Sequence, residues 1–163
     1  SRWLLQLLAQ CHDAAFQYEM RHRRGLGYAA AVRYREVSGA PRLAYVVQSP
    51  HAATDILRDA IHDFLVEQGA ALARPGRDEI MQLKRGLSAR TGSPETHAEA
   101  TERLWQALRC HAAAGRDTSP WQPLPWVAEA QTLAMLEPND LTSLADALAR
   151  GHLPQRWWLH VPH

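Results

Sequence analysis

The chain has 163 residues, 46% of them hydrophobic and 21% charged, which is the composition of one ordinary globular domain and excludes a disordered chain. A formal net charge of +1 supplies no field that would gather nucleic acid or an acidic lipid surface, so neither is expected as a partner. No apolar run approaches the ~20 residues that a bilayer-spanning helix requires, so no membrane is expected either.

The apolar stretch 3–8 is broken by Gln6, and Cys11-His12-Asp13 is a poor signal-peptide cleavage site, which leaves the compartment open. The chain opens directly in a helical pattern, which suggests a piece of a longer protein. Trp3, Leu4, Leu7, Leu8, Cys11, Ala15, Phe16 and Met20 recur at helical spacing and predict a first helix over 2–24. Gly25-Leu26-Gly27 ends it, glycine being the residue that takes a left-handed helix stop most readily. Residues 28–37 and 42–48 read as two strands joined by the turn-forming Ser38-Gly39-Ala40-Pro41, an antiparallel hairpin.

After Gln48-Ser49-Pro50 the period becomes helical again. Ile56, Leu57, Ala60, Ile61, Phe64 and Leu65 mark an amphipathic helix over 54–68, stopped by Gly69. Ile80, Leu83 and Leu87 carry another over 77–91. Ser93-Pro94 has the form of an N-cap followed by a first-turn proline, and Ala98, Thr101, Leu104, Trp105 and Leu108 keep one face from there to about residue 112. A loop over 115–123 leads to a shorter helix over 126–136. Leu141, Leu144, Ala145 and Leu148 form the last helix, entered after Pro138-Asn139-Asp140 and closed by Gly151. Residues 156–161 predict a terminal strand paired with the hairpin. The order α-β-β-α-α-α-α-α-β describes an α+β fold, a single domain over 1–163 with an antiparallel sheet and helices packed mainly on one of its faces.

Nine histidines invite a metal. A zinc peptidase needs two histidines one helical turn apart with a carboxylate beside them, as in His-Glu-x-x-His or the inverted His-x-x-Glu-His. Neither string occurs. His97 and Glu99 are two apart and do not share a helix face. Asp55, Asp59 and His62 do share one, but it reads as the wet side of its helix, and His160 and His163 stand at the chain end. The expectation is therefore no metal ligands, no cofactor and no catalytic residue within this chain.

Cys11 and Cys110 form no Cys-x-x-Cys pair, fall in helix stripes and read as buried free thiols. Gly25-Leu26-Gly27 follows a helix and lacks the third glycine of a dinucleotide loop. The cluster Arg21-His22-Arg23-Arg24 suits the negative end of a helix dipole.

The segment Phe16-Gln17-Tyr18-Glu19-Met20-Arg21-His22-Arg23-Arg24-Gly25-Leu26-Gly27-Tyr28 resembles one in insulinase/pitrilysin-type zinc metallopeptidases, where a helix ends in Phe-x-x-x-Leu-Arg, four variable residues and Leu-Gly-Tyr. The likeness continues through Tyr45-Val46-Val47-Gln48-Ser49-Pro50, Phe64-Leu65, residues 80–87, Trp105 and Trp157-Trp158-Leu159. Gln48-Ser49-Pro50-His51 and the tryptophan pair look most like the branch of that family serving pyrroloquinoline-quinone biosynthesis. Gly25 stands where the family usually has glutamine, and Gln17 where it often has a second phenylalanine.

That resemblance implies a C-terminal, non-catalytic domain, similar to processing-peptidase domains but without their opening strand. Zinc is then expected in the catalytic domain of the parent protein and not here. The partners implied are a peptide substrate and that catalytic domain, whether on the same chain or another. Carried over residue by residue, the family's substrate-facing arginine and tyrosine fall on Arg21 and Tyr28. The rival reading is a structural or protein-interaction module of a homologue without catalytic activity. Taken without the resemblance, Arg21 is a helix-end charge and Tyr28 a half-buried strand aromatic.

Overall fold

A single helix carries both halves of the hydrophobic core. The computed structural model describes residues 2–37, 40–91, 96–113, 131–151 and 159. In it α1 (Arg2–Tyr18) buries Trp3, Leu7, Leu8, Ala9, His12 and Phe16. Trp3, Leu7 and Leu8 pack with Ala73, Leu87, Leu133, Leu141, Ala145 and Leu148. Phe16 and Ala9 belong to a second cluster with Met20, Ala30, Val32, Ala60, Ile61, Phe64 and Leu65. The spacing of apolar residues along α1 explains this double use, since i, i+4 neighbours stack on one face and successive turns meet different partners.

The predicted helix over 2–24 is not α-helical throughout. At Tyr18 it widens into a π-helical turn, Glu19–Arg23. The widened turn is visible in the Arg24 amide, which bonds the Glu19 carbonyl five residues back at 2.9 Å. Gly25 follows with φ +59°, and the Leu26 amide reaches the Met20 carbonyl at 2.9 Å. This is a glycine stop one residue wider than the usual Schellman closure.

Strands β1 (Ala29–Val37) and β2 (Ala40–Gln48) pair antiparallel, Ala29 opposite Gln48 and Val37 opposite Ala40. β2 starts two residues before its expected beginning because Pro41 is tolerated at the hairpin end, where a missing N–H costs little. Ala30 and Val32 of β1, with Leu43, Tyr45 and Val47 of β2, face the core. Arg33 and Val46 face away and are exposed. α1 lies across the inner face, and a hairpin alone would be marginal without such a cover. The Val32 amide is taken by Asp13 Oδ1 at 2.8 Å, and Asp13 Oδ2 also accepts from Arg33. A helix side chain therefore occupies, at its middle, the edge of β1 that faces away from β2.

α2 (Thr54–Phe64) buries Ala60, Ile61 and Phe64. Gly69 does not stop it: a second π-helical turn, Leu65–Gly69, runs on into α3 (Ala70–Leu72). The backbone at Gly69 is ordinary right-handed helix, and it is Pro75-Gly76 that stands where the chain leaves the helical path. α4 (Arg77–Thr91) has the predicted bounds. α5 begins at His97 and runs to Ala113; the expected cap at Ser93-Pro94 lies outside the described residues.

Residues 131–135 are helical, as part of the helix expected over 126–136 whose start also lies outside them. α6 (Pro138–Ala149) takes Pro138 as its first residue and is capped by Glu137 in a reciprocal box with Asp140, so it starts before the expected entry. Gly151, φ +73°, closes it as expected.

The fold is α+β, mostly helical, with a two-stranded antiparallel sheet among the described residues. The strand predicted over 156–161 lies outside them except for Leu159, which is exposed. The stripe on α5 has no cover among the described residues, where Leu104, Trp105 (57% exposed) and Leu108 all lie open. Periodicity identifies an apolar face, but only packing supplies its partner.

Candidate functional site at the helix-to-strand corner

The ten residues from Glu19 to Tyr28 form the corner that carries both substrate-facing candidates. Its helical side is held from below by Glu19, only 2% exposed. The Glu19 carboxylate accepts from Arg24 Nε at 2.7 Å, from Arg23 Nε at 2.6 Å and from Gln68 Nε2 at 3.1 Å. Arg24 reaches further, to Asp63 Oδ2 at 3.0 Å, and Glu67 lies 3.8 Å from both arginines. The two π-helical turns are thereby tied to each other. Burial pushes the Glu19 carboxyl up, but hydrogen bonds from Arg24, Arg23 and Gln68 with the Arg23 charge outweigh it and hold it below the ordinary glutamate range.

The strand side is held by backbone. The Tyr28 amide bonds the Gln48 carbonyl at 3.1 Å. A Cβ at Gly27 would stand 2.5 Å from that carbonyl oxygen, so glycine is required there for close approach. The next residue of the Gln48-Ser49 pair is also structural, since Ser49 Oγ accepts the amides of Ala52 at 2.9 Å and His51 at 3.3 Å and turns the chain toward α2.

Arg21 and Tyr28 stand at the two ends of this corner. Arg21 is exposed and Tyr28 is 58% exposed, just before β1 and not within it. Neither side chain has a hydrogen bond or ion pair among the described residues, and none joins the two. Arg23 and Arg24 are consumed by Glu19, whereas Arg21 is left over. His22 is exposed too and lies over Tyr18 with ring centroids 5.6 Å apart.

Sequence reasoning missed Glu19, although its i, i+4 relation to Arg23 was a usable signal. It also passed over His12. Lying inside the apolar stripe of α1, His12 is fully buried, edge-on to Phe64. Its Nε2 sits 2.9 Å from the Gly69 carbonyl, which can only accept, so that nitrogen carries the proton. Nδ1 is then the acceptor for the Tyr45 hydroxyl at 2.6 Å. Burial holds the His12 pKa below its ordinary 6.5 despite the Gly69 hydrogen bond.

A histidine kept neutral in the fold binds its proton more weakly than in the unfolded chain. Its contribution is complete above pH 6.5 and declines as the pH falls from there toward the folded pKa. Thermal unfolding between pH 7.5 and 5 should show the wild-type midpoint falling faster than that of His12→Gln. Parallel pH slopes would remove His12 as the cause.

Cys11, partly buried, is free, and burial with the Glu79 charge pushes its thiol up to about 11, an unreactive state at neutral pH. The side chain of Cys110 lies outside the described residues, as do His160 and His163. Asp55, Asp59 and His62 are exposed. Among the described residues no three His, Cys, Asp or Glu side chains converge as metal ligands. No described helix is long and apolar enough to cross a membrane.

The family model for the PQQ synthase PqqF-like, C-terminal lobe domain 4, matches residues 7–105. This chain belongs to that family. The matched span contains α1 from Leu7 onward, the whole Glu19–Tyr28 corner and the hairpin, while the likeness at Trp157-Trp158-Leu159 falls outside it. The PqqF-like domain is 33% identical over 112 residues to coenzyme PQQ synthesis protein F of Pseudomonas aeruginosa, an alignment covering 68% of this chain and 14% of that protein. The crystal structure of pitrilysin matches its fold with a TM-score of 0.67 at 18% identity, over 90% of this chain and 15% of pitrilysin. It is thus an insulinase/pitrilysin-type C-terminal domain, spanning only a small part of the length of the proteins it matches.

Proposed function

We propose that this domain is a non-catalytic wall of a zinc-dependent endopeptidase, closing the substrate chamber and presenting Arg21 and Tyr28 to the peptide. The supporting observation is that the corner is fastened on both sides while these two side chains are spared from every fastening. A guanidinium and a phenol are donors suited to a peptide carbonyl, whose oxygen gains negative charge as the bond is hydrolysed. Zinc belongs, in this reading, to the catalytic domain of the parent.

Arg21→Ala in the full-length parent tests it. Loss of a donor that orients the carbonyl should lower kcat/KM by roughly 10- to 100-fold, with thermal unfolding of the protein little changed because Arg21 is exposed. Wild-type kinetics would refute the reading. The open stripe on α5, Leu104, Trp105 and Leu108, favours a second one, an interaction module of a homologue without catalysis. A parent that carries an intact His-x-x-Glu-His and cleaves peptides excludes it.

A further inference from the structure

We propose that Glu19 is a positioning residue for Arg21, an inference that rests on the substrate-contact reading above. Glu19 and Arg21 share one five-residue π-helical turn. Such turns are inserted singly into helices and have to be held by their surroundings. Here the holding group is a buried carboxylate with three donors within 3.1 Å, two from the turn's own end and one, Gln68, from the other helix. Arg24 extends the tie to Asp63 at the surface.

The turn therefore has its inner side fixed by charge, and this sets the direction in which its outer residue, Arg21, leaves the backbone. Arg21 makes no bond of its own among the described residues that could aim it. Without Glu19 the widened turn loses the buried counter-charge of Arg23 and Arg24, keeps only the more exposed Asp63 and Glu67, and can relax toward ordinary helix. That relaxation would turn Arg21 away from the direction it takes at the corner. A merely structural Glu19 would tie α1 to α2 with no such consequence.

A double-mutant cycle in the full-length parent separates the two, with kcat and KM read on an internally quenched fluorogenic peptide that the wild type cleaves. Glu19→Gln keeps the size and removes the charge. Its kcat/KM should fall by roughly 10-fold or more, and Glu19→Gln combined with Arg21→Ala should be no worse than Arg21→Ala alone. Wild-type kinetics in Glu19→Gln, or losses that multiply in the double variant, overturn the positioning role while leaving Arg21 in place. An Arg21→Ala variant with wild-type kinetics overturns the substrate-contact reading and the positioning role together. If Glu19→Gln does not fold, Asp63→Asn, which loosens Arg24 at the surface, takes its place in the cycle under the same criteria.

Discussion

Tyr28→Phe in the full-length peptidase should lower kcat by on the order of 10²–10³, equivalent to about 2.7–4 kcal/mol of lost transition-state stabilisation. The substitution removes one hydroxyl and keeps the ring. The phenol makes no hydrogen bond among the described residues and the residue is 58% exposed, so the fold loses nothing that the hydroxyl supplied. The backbone amide that does fasten Tyr28, to the Gln48 carbonyl, is common to both residues. Loss of rate should accordingly appear with an unchanged unfolding midpoint and with KM less affected than kcat, as for a contact formed chiefly in the transition state. A scaffold role predicts the reverse, a lower midpoint with normal turnover in the protein that remains folded. Normal kcat in Tyr28→Phe would return the residue to ordinary surface.

Phe64→Ala should destabilise the domain by about 3–5 kcal/mol, the range for emptying a buried aromatic site. Phe64 is 0% exposed, and its ring meets Phe16 nearly edge-on at 5.1 Å and His12 at 5.8 Å. Tyr45 closes the group from β2, 5.4 Å from Phe16. One ring from α2 therefore joins α1 to the hairpin, and no single neighbour can collapse into its space without leaving another. For a domain of this size the loss corresponds to a drop of roughly 6–20 °C in the unfolding midpoint. Phe64→Leu, which keeps most of the apolar volume, should lose much less. A midpoint for Phe64→Ala within a degree or two of wild type would show that this cluster does not hold the fold.

Much of this was legible from residue order. The helix over 77–91, the hairpin, the stop at Gly25 and the closure at Gly151 follow from local rules. Periodicity, turn chemistry and glycine's tolerance of positive φ act within a few residues, so a linear reading captures them. The spacing of Arg21 from Leu26-Gly27-Tyr28 carried the family likeness, and the match over residues 7–105 bears that likeness out.

What the sequence alone determined, then, was the class of fold, the α1 stripe and the placing of the corner between helix and strand. Tertiary structure alone decided which side chains of the corner are used up. Arg21, Arg23 and Arg24 look alike in sequence. Yet Glu67 and Asp63, which pair with two of them, and Gln68, which bonds their shared partner Glu19, are contributed by residues some 40 to 50 positions away. The same holds for His12, whose proton is placed by a carbonyl at Gly69 and a hydroxyl at Tyr45. Gly69 itself reads as a stop, but it is passed through in helical conformation, and α5 shows an apolar stripe that nothing covers among the described residues. Local preferences are worth tenths of a kcal/mol to about 1 kcal/mol per residue and yield to burial and charge pairing worth several, which depend on partners brought together only when the chain has folded.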